Sequence, residues 1–106
     1  LKALLDRALY LAGMEPSRVI VVSIPDWGVT PFNTRRDKAV VAREIDAFNA
    51  VNRAEAAALK LQWLDITDLT RAQPSAVVDD GLHPSGAMYA QWTERLVPMA
   101  VAALRK

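Results

Sequence analysis

The one histidine of the chain, His83, follows Asp80 by three residues in the string Val78-Asp79-Asp80-Gly81-Leu82-His83-Pro84-Ser85. A lone imidazole cannot assemble a multi-histidine metal site, but it can act as a general base. For that role one ring nitrogen must be held by a carboxylate, so that the other faces a nucleophile in the correct tautomer. Asp80 can do this across a turn that Gly81 leaves free of a side chain. The same residues also describe an ordinary Asp-Gly turn, with His83 a surface or packing residue ahead of a helix cap.

A base needs a nucleophile, and the chain offers Ser17, Ser23, Ser75 and Ser85 and no cysteine. None of these serines stands in a Gly-x-Ser-x-Gly elbow. Ser85 reads as a helix cap, and Ser23 as a packed hydroxyl inside a strand rather than a nucleophile.

The elements that must carry these residues follow from periodicity. Leu1, Leu4, Leu5, Ala8, Leu9 and Ala12 fall at helical spacing, with Gly13 where a helix ends, so residues 1–12 are expected to be helical. Residues 18–24 form a β-branched run without alternation, the pattern of a strand covered on both faces in a parallel sheet. Pro25, Asp26, Gly28, Pro31 and Asn33 mark a loop that nonetheless carries Trp27, Val29 and Phe32. Residues 38–60 read as a long alanine-rich helix with Val41, Ile45, Phe48, Asn52 and Ala56 near one face. Residues 62–66 read as a second strand, and the stretch 67–84 as irregular. After Ser85 the recurrence of Met88, Trp92, Leu96, Met99 and Ala103 predicts a last helix whose stripe is core packing, kinked around Pro98. The order helix, strand, helix, strand, helix argues for a parallel α/β architecture with right-handed crossovers.

Thirteen Lys and Arg against twelve Asp and Glu leave a formal net charge of +1, too weak a field for nucleic acid or a polybasic membrane contact. The densest basic cluster, Arg35-Arg36-Asp37-Lys38, is broken by an acid and reads as a solvated loop leading into a helix. The lack of cysteine excludes disulfides, a zinc-thiolate site and a thiol nucleophile. The longest apolar runs, 19–22 and 99–104, fall far short of a membrane span. With Leu1 already inside a helical pattern and only two strands for a parallel sheet, the chain is expected to be part of something longer, or to self-associate.

The string Asp80-Gly81-Leu82-His83-Pro84-Ser85 resembles the final sequence block of the SGNH hydrolases, or GDSL esterases and lipases, in which an Asp-x-x-His-Pro motif supplies two members of a catalytic triad. The run from Ser23 to Phe32, the spacing of Ile45, Phe48, Asn49 and Asn52, and the strand ending Leu64-Asp65-Ile66 resemble bacterial members of that family. The likeness covers nearly the whole chain. It implies a three-layer α/β/α, flavodoxin-like fold, of which residues 1–106 would be the carboxy-terminal half. It also implies a serine hydrolase of carboxylic esters, with neither metal nor organic cofactor, in which Asp80 orients His83; Asp79, one residue off the motif, is the runner-up for the acid. The family's nucleophile block, Gly-Asp-Ser, and its oxyanion glycine and asparagine are not present, and Asn49 and Asn52 read as helix-to-loop hydrogen-bonding residues. The expectation is therefore a chain carrying acid and base, close to inactive alone, whose partners are a small ester substrate, a missing amino-terminal half and further copies of itself. Trp27 is a candidate wall of the substrate pocket or, alternatively, an anchor for its own loop. A reading of a different class is a non-catalytic α/β module for binding or self-assembly through its open sheet edge.

Overall fold

The structure is a computed structural model that describes residues 1–105. Helix α1 (Lys2–Leu11) is followed by a turn of 3₁₀ helix at Pro16–Arg18 and strand β1 (Ile20–Val22). A second 3₁₀ turn (Trp27–Val29) leads into α2 (Lys38–Ala58), strand β2 (Gln62–Leu64), the short helix α3 (Thr67–Ala72) and α4 (Gly86–Leu104). This is a small mixed α/β domain, with helices alternating with, and packed around, a short parallel sheet.

The two strands pair in parallel with Ile20 opposite Gln62, Val21 opposite Trp63 and Val22 opposite Leu64. Strand β1 is shorter than the apolar run that encodes it. Pro16 starts a 3₁₀ turn that takes Ser17 and Arg18, and beyond Ser23 the ladder stops because side chains claim the backbone. The amide of Ile24 donates to Asn49 Oδ1 at 2.8 Å, and its carbonyl accepts from Thr67 Oγ1 at 2.7 Å. Nor is the strand covered on both faces: Ile20 and Val21 are half-buried and Val22 is exposed. A two-stranded sheet gives its outer face nothing to pack against.

Leu5 and Leu9 of α1, Ala56 of α2 and Leu61 form the core, with Val19, Val21, Leu59 and Trp63 against it. Helix α2 begins where Asp37 accepts from the amides of Ala39 and Val40, and it buries Val41, Ile45 and Ala56. Phe48, placed on that face by periodicity, is 64% exposed. The face meeting the sheet is centred on Ile45 and Ala56, and Phe48 falls to one side of it.

The stretch 67–84 is not irregular throughout. Asp65 Oδ1 accepts from the Thr67 amide at 2.9 Å and α3 starts there, with Asp68 in its first turn and Arg71 in its last, both favourable to the helix dipole. Ser85 caps α4 through the Met88 amide, and the helix runs on through Pro98 to Leu104. Met88 and Ala103 are buried, whereas Trp92, Leu96 and Met99 are half-buried. Arg95 fastens α4 to α3 with a two-pronged bond to Asp68, 2.7 and 2.9 Å, and a third bond to the Asp65 carbonyl. The guanidinium beside it holds the Asp68 carboxyl below its ordinary range. Among the described residues no helix is long and apolar enough to cross a membrane.

Candidate active site

The loop that carries His83 closes on itself like a hairpin. Val77 and Pro84 form an antiparallel bridge, the Val78 amide donates to the His83 carbonyl at 2.9 Å, and the Ser85 amide donates to Ala76. Gly81 sits at the tip with φ +71°, a conformation that costs a side chain dearly. A Cβ there would also stand 3.3 Å from Pro31 Cβ, because the Phe32 amide donates to the Gly81 carbonyl at 3.1 Å. The turn is thus clamped onto the loop that follows β1.

Within this turn Asp80 uses both carboxylate oxygens. Oδ1 accepts from the amides of Leu82 and His83, at 2.8 and 2.9 Å, and Oδ2 is hydrogen-bonded to His83 Nδ1. The imidazole contact, followed by the two amides, pulls the Asp80 carboxyl down to about 2. Asp80 is therefore ionised throughout the neutral range, and its charge favours the proton on Nδ1 and the lone pair on Nε2. Among the described residues Nε2 takes no hydrogen bond, and the His83 side chain is 67% exposed. The ring pairs with Asp80 and not with Asp79.

His83 stands at the wall of a cavity of about 210 Å³. Segments leaving the carboxyl ends of both strands build it: Pro25–Thr30 after β1, and α3 with its successor after β2. In open α/β sheets this is where ligand sites gather. Trp27, Val77, Leu82, Pro84 and Met88 give it an apolar lining. Trp27 lines this cavity, as His83 does, and it also anchors its own loop, edge-on to Phe32 at 6.4 Å.

The loop bearing Trp27 is held from beneath. Asp26 is 1% exposed; its Oδ1 accepts from the Gly28 amide and its Oδ2 from Arg71 Nε, both at 2.8 Å. Arg71 also reaches Asp46 and the Ala42 carbonyl on α2, and its bond to Asp26, followed by that to Asp46, raises its affinity for the proton. Asn33 closes the far side, donating to the carbonyls of Gly28 and Arg36 and accepting from the Arg36 amide. Sequence reasoning passed over Asp26 and Arg71. The Asp-x-Gly spacing of Asp26 and Gly28 was a local signal for a side-chain cap, but nothing local pairs Asp26 with Arg71, 45 residues on.

Ser23 is 3% exposed and fully engaged. It donates to Asp65 Oδ1 at 3.0 Å and accepts from the Ile66 amide at 2.8 Å, with Thr67 Oγ1 also at 2.9 Å. No imidazole reaches it, so it is a packed hydroxyl. Asn49 joins helix to loop through Ile24 and Thr67, as its type and place suggest, and Ser85 is spent on its cap. Among the described residues no three His, Cys, Asp or Glu side chains gather into a group able to hold a metal ion. The chain matches no protein-family model, and neither a search of curated proteins nor one of solved structures found a match.

Proposed function

We propose that this chain is the acid–base part of a serine hydrolase that cleaves carboxylic esters, in the manner of the SGNH family. The observation that carries the reading is the Asp80 carboxylate on His83 Nδ1, with Nε2 unoccupied beside an apolar cavity at the carboxyl ends of the strands. In the reaction, Nε2 takes the proton from a serine hydroxyl as its oxygen attacks the ester carbonyl. It then returns that proton to the leaving alcohol as the tetrahedral intermediate collapses to an acyl-serine, which a water deprotonated by the same nitrogen cleaves to the free acid and the serine. Asp80 keeps the ring in the required tautomer and stabilises the imidazolium. The serine and the oxyanion donors come from an amino-terminal half that packs against the sheet in a three-layer α/β/α, flavodoxin-like fold, with residues 1–106 as the carboxy-terminal half.

The test is ester hydrolysis by the chain alone and by the chain joined to the residues preceding it in its natural reading frame. The chain alone is expected to turn over p-nitrophenyl acetate no faster than free imidazole, and the joined protein to hydrolyse it by a serine pathway. There His83→Ala abolishes most of kcat, and Asp80→Asn costs up to about 10⁴-fold, as when the triad aspartate of a serine protease is neutralised. Full activity in both variants would remove these residues from the mechanism.

A specific observation favours a second reading, that of a non-catalytic self-assembly module. The domain measures 43 × 26 × 18 Å and its radius of gyration is 15.1 Å. A compact domain of about 100 residues has a radius near 13 Å. Leu4, Leu11, Met14 and Phe48 are each more than 60% exposed, and each strand has one unpaired edge. Both readings have the isolated chain forming dimers or larger assemblies by light scattering. Recovery of esterase activity with the preceding residues supports the enzyme, and stable assembly without activity in that longer protein supports the module.

A further inference from the structure

The cavity beside His83 has walls whose polar groups are already spent on one another. The Thr30 hydroxyl donates to the Trp27 carbonyl at 2.6 Å. The Thr70 hydroxyl donates to the Thr67 carbonyl at 2.8 Å and accepts from the Asp26 amide at 2.9 Å. Gln73 and Gln91 exchange their side-chain amides in both directions, at 2.7 and 2.9 Å. The Asp26 carboxylate is taken by Gly28 and Arg71, and Arg71 is itself committed to α2. A ligand entering this space meets Met88, Val77, Leu82 and the Trp27 ring, and each of these polar groups already has a partner within the protein.

That chemistry selects the occupant. A sugar hydroxyl buried there gives up its bonds to water for a largely apolar wall, and an anionic group finds no Lys or Arg among the lining residues. Size selects it further. An apolar cavity of roughly 150 Å³ takes up benzene, and this one measures about 210 Å³. One aromatic ring or a compact chain of a few carbons fits; a long acyl chain does not. His83 lines the same wall, so a group held in the cavity stands beside its ring.

We infer that the cavity formed by Trp27, Val77, Leu82 and Met88 beneath His83 binds one compact, uncharged apolar group, and that the ester substrate carries such a group, an aryl ring or a short branched chain, next to its carbonyl. The second clause rests on the reading of His83 as the base; the first does not.

The test is methyl NMR of the whole 106-residue chain, titrated with benzene and, separately, with glucose and sodium octanoate. Benzene shifts the Met88, Val77 and Leu82 methyl signals saturably, while glucose leaves them unmoved and octanoate binds at least tenfold more weakly. Ala76→Leu, which fills the space, weakens binding at least tenfold; should that variant unfold, the ring-current shifts in the parent chain decide. Benzene leaving the three methyl groups untouched, or glucose or octanoate binding there as well as benzene, overturns the inference. The role of His83 is judged separately, from its tautomer and from kcat, so the two claims fail independently.

Discussion

Replacing Arg71 by Met keeps the aliphatic stem and removes the charge that holds Asp26. The Asp26 side chain is wholly excluded from solvent, whereas that of Arg71 is 33% exposed. Breaking a buried ion pair by deleting one partner costs about 3–5 kcal/mol, because it strands the other charge. Here the guanidinium is partly solvated, and Asp26 keeps its bond from the Gly28 amide, which reduces the loss. We expect about 2–3 kcal/mol, a fall in Tm of roughly 10–20 °C for a domain of this size. Urea and thermal unfolding followed by circular dichroism measure it. Adding Asp26→Asn to the variant removes the stranded charge but keeps an oxygen facing Gly28, and recovers more than half of the loss. A loss below about 0.5 kcal/mol for Arg71→Met, within the range of ordinary surface changes, would refute the reasoning. So would an absence of recovery in the double variant.

Gly28→Ala would place a methyl group 2.6 Å from Val41 Cγ1 and 2.8 Å from Val41 Cβ. Overpacking of this kind costs about 1–3 kcal/mol, which the urea midpoint measures. The Asp80 carboxyl, followed by carbon-13 NMR, titrates at about 2, against an ordinary 3.8, and rises only part of the way to 3.8 in His83→Ala because two amide donors remain. Since this pKa is depressed in the folded chain, the stability it confers is complete above pH 3.8 and is lost as pH falls towards 2. An Asp80 titrating at 3.8 or above in the parent would contradict the geometry.

What could be read from the sequence was what neighbours in the chain decide. The Asp80–His83 contact spans three residues across a glycine turn, and Ser85 caps the helix it begins, so both are local. The α/β alternation is local as well. Strand β1 fell short of its apolar run because Asn49 and Thr67, far along the chain, take the backbone groups of Ile24. Helix α3 escaped notice because it is only six residues long, too short for periodicity, and its ties to Asp26 and Arg95 come from 45 and 27 residues away. Phe48 lies where periodicity would bury it, but a sheet of two strands is too narrow to cover that side of α2.

The central claim is that Asp80 fixes the His83 ring with its proton on Nδ1 and its lone pair on Nε2, and nitrogen-15 NMR of the ring measures this directly. Above the ring's titration the parent chain is predicted to show a protonated Nδ1 and a bare Nε2, and Asp80→Ala to lose that preference. A neutral ring carrying its proton on Nε2 in the parent, or one indifferent to the loss of Asp80, would contradict the account.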